Sequence, residues 1–198
     1  MFSKNLIKLS PLYDKPCFFT QDVANLLGFN LQSARVFSSR YSKKGFFIKL
    51  RNGCYSLSQR WDKNSYEDYY KIFSVLRVPS YLSLLSALYY YEVTTQVPNG
   101  YFEGITSVAP KKYSVKGVVF RYYKIKKNLF RGFSRKDGFF IAEKEKAFAD
   151  ALYLYSFGKY RLDFSAVDLS KLDLKKLSAV LKDYPVKTVK IAGKICGI

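Results

Sequence analysis

The chain has 198 residues, enough for one large or two small domains, and its 48% hydrophobic content allows a real core and argues against wholesale disorder. Its formal charge is +19, from 34 Lys and Arg against 15 Asp and Glu, an excess beyond the needs of solubility that points to a polyanionic partner, nucleic acid ahead of an acidic membrane or an acidic protein. Histidine is absent, which removes the commonest general base, Ser-His and Cys-His nucleophile pairs and most zinc sites.

In chain order, "FSKNLIKL" (2–9) reads as a short helix from the spacing of Phe2, Leu6, Ile7 and Leu9. "FTQDVANLLG" reads as a second, with Thr20 as cap, Asp22 in the first turn, Val23, Leu26 and Leu27 on the apolar face, and Gly28 as the stop. Asn30 can cap a third helix running to about Lys44 and stopped by Gly45. Ala34, Phe37 and Tyr41 fall at core spacing. Gln32, Ser33, Arg35, Val36, Ser39, Arg40 and Lys43 then point mostly outward. "FFIKLRNGCYSL" reads as two strands, 47–50 and 54–57, joined by a tight Asn52-Gly53 turn. Helix, helix, tight turn, helix and hairpin is the order of a winged helix-turn-helix. Residues 1–60 hold ten basic and two acidic side chains, most of the charge on the last helix and the hairpin. A solvated helix face usually mixes charge signs, and this one does not.

"QRWDKNS" is polar and reads as the join between domains. "SYEDYYKIFSVLR" reads as a helix ending before Pro79. "SYLSLLSALYYYEV" reads as another, capped by Ser80, with Leu84, Ala87, Leu88 and Tyr91 inward. "GITSVAP" and "GVVFRYYKI" read as strands. A strand at 139–142 runs into a helix that places Ala147, Ala151 and Leu154 on one face beside Phe148 and Leu152. "LSKLDLKKLSAVLKDYP" reads as the terminal helix, capped near Ser170 or Asp173 and stopped by Pro185. Residues 111–136 hold ten cations and no acid, with six aromatics interleaved. Lys111, Lys112, Arg121, Lys124, Lys126, Lys127 and Arg131 are candidates for a second basic surface that contacts phosphate, docks an acidic protein, or is a plain solvated sheet face. Strand alternation puts Arg121 and Tyr123 on one face, Tyr122 and Lys124 on the other.

Cys17, Cys54 and Cys196 form no CxxC pair or metal spacing and read as reduced thiols. No apolar run of signal-peptide length opens the chain, and "YLSLLSALYYYEV" is too short to cross a bilayer. A cytoplasmic setting with no membrane partner is expected.

These motifs resemble the AbiEi-type antitoxins of type IV (abortive infection) toxin–antitoxin systems. The resemblance rests on "FTQDVANLLGFNLQSARVFSSRYSKKGFFIKLRNGCYSL", "SYLSLLSALYYYEV", "ITSVAPKK", "FRYYKIKKNLFRGF", "IAEKEKAFADALYL" and "LDLKKLSAVLKDYP", nearly the full length. It implies an α+β fold: a winged helix-turn-helix domain over 1–60 and a mixed α/β antitoxin domain over 61–198. The first would bind inverted repeats in its own promoter and repress it. The second would neutralise a nucleotidyltransferase-type toxin, in a family thought to act without a stable antitoxin–toxin complex. The sequence departs from the family at Ser38 and Ser42, helix positions that are often apolar, and at Glu143 and Lys144, where relatives begin the helix with a small residue and proline.

On this reading the helix from Asn30 enters the major groove, with Gln32, Ser33 and Arg35 at base edges and Ser39 at a phosphate. Arg40, Lys43, Lys44 and Lys49 hold the backbone, and Arg51 and Asn52 at the hairpin tip reach the minor groove. No catalytic role, metal or cofactor is expected. The rivals are a stand-alone winged-helix regulator without a toxin and a DNA-acting nuclease. A nuclease needs acids placed to hold a metal, whereas Glu145 and Asp150 lie five residues apart on one helix and share no face closely.

Overall fold

In the computed structural model, which describes residues 7–197, the chain is α+β and divides between Leu76 and Arg77 into two units. Among the described residues there are eight α-helices and two β-sheets. Most of the helix expected over 2–9 lies outside them.

The first unit contains β1 (Phe18–Phe19), α1 (Thr20–Leu27), α2 (Leu31–Lys43), β2 (Phe47–Arg51), β3 (Cys54–Leu57), α3 (Ser58–Trp61) and α4 (Tyr66–Leu76). Thr20, expected as a cap, is instead the first residue of α1. Phe19 stands at the cap position, and its N–H donates to Asp22 at 2.7 Å. Gly28 ends α1 at φ 68°, a left-handed conformation that costs glycine no Cβ clash. Asn30 caps α2 as expected, its side chain accepting Ser33 N–H at 2.8 Å. The Asn52-Gly53 turn closes the hairpin with Gly53 at φ 73°.

The hairpin gains a third strand that the sequence pattern did not indicate. Phe18 pairs with Tyr55 and Phe19 with Cys54, giving the antiparallel order β1-β3-β2. Phe18 meets Phe47 edge-on at 4.9 Å inside a core built from Leu12, Val23, Leu27, Ala34, Tyr41 and Leu57. Aromatic pairs of this kind contribute about 0.5–1.5 kcal/mol beyond their burial.

The two compact units divide after Leu76, and "QRWDKNS", which reads as a polar join, contains a buried residue. Trp61 is only 3% exposed, and its carbonyl accepts the Tyr69 hydroxyl at 3.2 Å. Arg60 pairs with Asp68 at 2.9 Å, which fastens α3 to α4.

The second unit contains β4 (Ser80–Leu82), α5 (Leu84–Tyr90), β5 (Tyr101–Thr106), β6 (Lys111–Val115), β7 (Val118–Lys124), β8 (Phe133–Lys136), β9 (Phe139–Ala142), α6 (Lys144–Ser156), α7 (Leu174–Leu181) and α8 (Val186–Cys196). Its sheet has the order β6-β7-β5-β4-β9-β8. β4 runs antiparallel to β5 and parallel to β9, and β5 runs parallel to β7. The helix expected from Ser80 is therefore shorter. Ser80 pairs with Thr106 and Leu82 with both Gly104 and Ile141, so residues 80–82 join the ladder and only 84–90 are helical. Asp173 caps α7, accepting the N–H groups of Lys175 and Lys176 at 3.0 and 3.1 Å. Pro185 ends that region as expected, but it also stands at the cap of a further helix, α8. No helix among the described residues is long and apolar enough to cross a membrane.

Every residue of α6 from Glu145 to Leu154 is buried, so it is an interior helix without an amphipathic stripe. Two of these residues are charged. Lys146 forms an ion pair with Asp150 one turn on and donates to the hydroxyls of Tyr81 at 3.0 Å and Tyr184 at 2.8 Å. Asp150 also accepts Ser83 at 2.9 Å, Tyr81 at 3.0 Å and Tyr184 at 2.8 Å. Burial pulls the Lys146 ammonium below its ordinary value, against the hold of Asp150.

Removing one partner leaves an uncompensated buried charge, which costs about 3–5 kcal/mol. Asp150→Ala is expected to lose that much in urea unfolding. The volume-matched double variant Lys146→Met with Asp150→Leu should recover part of it, the remainder being the bonds Asp150 accepts from Tyr81, Ser83 and Tyr184. A double variant as unstable as the single one would show that the charge is not what matters.

Candidate nucleic-acid interface

Ala34, Ser38 and Tyr41 bury one side of α2 against the core. At about 100° per residue, Gln32, Arg35, Val36, Ser39 and Lys43 fall within an arc of roughly 100° on the opposite side, and all five are exposed. Ser33 and Arg40 flank that arc and are also exposed, as is Lys44 at the helix end. α2 contains no acid, and no ion pair among the described residues holds Arg35, Arg40 or Lys43. Arg40 and Lys43 also lie in the last turn, where the carbonyl ends favour positive charge. Arg35, near the middle, has no such local reason. Val36 stands 41% exposed within the face, an apolar side chain that the charge pattern alone did not select.

Ser38 faces the core side of α2. Its hydroxyl is buried and makes no hydrogen bond among the described residues. An unsatisfied hydroxyl of this kind costs about 1–3 kcal/mol. Ser42 is half-buried.

On the hairpin, Lys49 and Asn52 are exposed. Arg51 is placed differently from the expectation. Its Nη2 donates to Val75 O at 3.3 Å and its Nη1 to Asn52 O at 3.4 Å, and the guanidinium lies 5.6 Å from the Phe19 ring centre. The side chain braces the hairpin against α4 and β1 and is not extended from the tip.

The second basic segment does not form one stripe. Lys111 and Lys112 lie on edge strand β6 and, like Lys124, Lys126 and Lys127 at or beyond the end of β7, are exposed. Arg121 is half-buried, with its guanidinium 5.2 Å from the Tyr123 ring centre. Arg131 pairs with Asp183. Arg135 and Lys136 belong to β8 at the other edge of the sheet. Five strand spacings separate the two edges, roughly 24 Å.

The unit also holds a buried acid that no sequence motif marks. Glu103 on β5 is 3% exposed; its Oε1 accepts the Tyr160 hydroxyl and Leu85 N–H, the latter at 3.2 Å. Leu84, just before that amide, holds φ 57°, which costs a leucine about 1–3 kcal/mol. Arg121 is the cross-strand partner of Glu103 on β7. A signal was present in the sequence, since Glu103 is the only acid between Glu92 and Asp137. Burial pushes its carboxyl up to about 7, against the pull of Tyr160, Leu85 N–H and Arg121.

The acids considered for a nuclease do not converge. Asp150 is held by Lys146, while Glu145 accepts Asp173 N–H at 3.0 Å. Among the described residues, no three His, Cys, Asp or Glu side chains are grouped to hold a metal ion.

The Glu103 shift has a defined stability signature. Its folded-state value lies above the unfolded one, 4.5, so its contribution is complete below pH 4.5 and is lost as pH rises through about 7. That rise corresponds to about 3 kcal/mol. In denaturant titrations from pH 4 to pH 8, the wild type is expected to lose about that much relative to Glu103→Gln. A pH-independent difference between the two would remove the buried-carboxyl assignment.

No protein-family model matches the chain, no curated protein is found similar to it, and no solved structure matches it.

Proposed function

We propose that the chain is a DNA-binding autorepressor that places α2 in the major groove and the β2–β3 hairpin beside it, in the manner of a winged helix-turn-helix. The observation that carries this reading is the outer face of α2: Gln32, Arg35, Val36, Ser39 and Lys43 exposed together, with no acid on the helix. Gln32 and Arg35 suit adenine and guanine edges, where their donors and acceptors pair two at a time, and Val36 suits a thymine methyl. Ser33 lies beside them. Ser39, Arg40, Lys43, Lys44 and Lys49 serve the phosphates, and Asn52 serves the hairpin contact. Arg51 supports the hairpin from behind.

The antitoxin role rests on the motif resemblance. The second unit is then the part that opposes a nucleotidyltransferase-type toxin, in the cytoplasm and without an obligatory stable complex. The buried ion pair and the dispersed acids favour this binding role over nuclease chemistry.

Base contact and phosphate contact make different predictions. Arg35→Ala should weaken binding to the chain's own promoter by about 1–3 kcal/mol and relax specificity at one base pair. The check is a fluorescence-anisotropy titration against promoter and scrambled duplexes; an equal loss on both would refute base reading by Arg35. Lys43→Ala should weaken both duplexes alike and reduce the salt slope by about one. An unchanged slope would take Lys43 off the phosphate backbone.

A further inference from the structure

The second unit contains a cavity of about 780 Å³ on the side of the sheet that carries Glu103. Tyr101, Tyr123 and Tyr160 contribute aromatic walls, and Lys159 and Arg161 add exposed cations. The volume is that of a small-molecule site, and a few convergent polar groups within aromatic walls are what such sites use for orientation. Nothing in the DNA-binding reading employs this cavity.

The hydrogen-bond inventory of Glu103 narrows the ligand. A carboxylate has about four lone-pair sites. The two hydrogen bonds that the Glu103 carboxylate accepts from the described residues, from Tyr160 and from Leu85 N–H, both end on Oε1. Oε2 takes none from the described residues, although the side chain is buried and lines the cavity. Oε2 can accept two adjacent N–H donors on a flat group together. Among the nucleobases, guanine alone presents two neighbouring N–H groups on its pairing edge. Adenine and cytosine place a donor beside an acceptor, and uracil flanks its donor with acceptors. Tyrosine rings can stack on the base, and Lys159 and Arg161 can hold a phosphate.

We propose that this cavity binds a free guanine mononucleotide, with Glu103 Oε2 accepting from the base edge and Lys159 and Arg161 contacting the phosphate. The groups facing Glu103 are Tyr160, Tyr123 and Arg121, together with Leu85 N–H. The guanine contact needs the ionised carboxylate, so the preference for guanine should strengthen as pH rises from 6 to 8.

The test is calorimetric titration of the full chain with GMP, AMP, CMP and UMP. GMP should bind at least tenfold tighter than AMP, and Glu103→Gln should abolish that margin. The unaltered chain supplies an independent check, because the GMP-to-AMP ratio should rise between pH 6 and pH 8 while the phosphate is common to both. Arg161→Ala, at an exposed position, should weaken GMP at least fivefold and leave guanosine unchanged. Equal binding of all four nucleotides, absence of GMP binding at millimolar concentration, or a pH-independent ratio would each overturn the proposal. So would a guanine-containing trinucleotide blocked at both ends that binds as tightly as GMP, since the ligand would then belong to a strand.

Discussion

The second unit is organised around one buried ion pair. Lys146 and Asp150 sit on an interior helix and are 3% and 0% exposed. Two charges in such a place are tolerable only if each is fully hydrogen-bonded, because the Coulomb gain barely offsets desolvation. The fold meets that condition with groups from distant parts of the chain. Tyr81 comes from β4, Ser83 from the turn into α5, and Tyr184 from the connection between α7 and α8. Satisfying the pair therefore fixes the central strand, α6 and the C-terminal helices together. β4 lies beside β5, so the same constraint helps place Glu103 and the cavity it lines.

The scarcity of acids gives this arrangement a wider consequence. Fifteen carboxylates cannot neutralise thirty-four cations, and many are committed to structural work. Asp150 is inside the ion pair, and Glu103 is under Tyr160. Glu145 anchors the start of α7 by accepting Asp173 N–H, and Asp22, Asp163, Asp168 and Asp173 bond backbone amides at turns and helix starts. Each choice satisfies a local need at the expense of surface neutrality. The surplus of positive charge is left on the outside, as the exposed cations of α2 show.

What the sequence made legible follows from local punctuation. α1, α2 and the hairpin were readable because Gly28, Asn30, Gly45 and Asn52-Gly53 mark their limits by backbone chemistry alone. β4 was not, since "SYLSLLSALYYYEV" has helical spacing and only pairing with β5 and β9 makes its first residues a strand. β1 is two residues long and exists by virtue of β3. α8 lay hidden behind Pro185, which reads equally as the end of one helix and the start of another. Among the site residues, exposure on α2 followed from periodicity. The bracing of Arg51 did not, because its partners at Val75 and Phe19 are distant in sequence. Lys146 and Asp150 looked like ordinary helix charges, since burial on all sides is a tertiary fact.

The positive charge itself has more than one cause, and this bears on which cations the proposed DNA contact would use. Lys111 and Lys112 lie on β6, and Arg135 and Lys136 on β8, the two edges of the six-stranded sheet. Charged side chains on edge strands hinder pairing with another chain, so these four have a structural reason to be basic whatever the protein binds. Lys136 has a further one, lying 4.8 Å from the ring centre of Tyr91. Arg40 and Lys43 gain from the helix C-terminus. Arg35 has neither explanation: it lies on no sheet edge, it is away from the last turn, and its helix has no acid to pair with. Among the cations of α2 the fold accounts for Arg40 and Lys43 and leaves Arg35, with Gln32 and Val36 beside it, as the one that only the proposed DNA contact would explain. A helix face that combines a bidentate cation, an amide and a small apolar side chain is suited to base edges in the major groove.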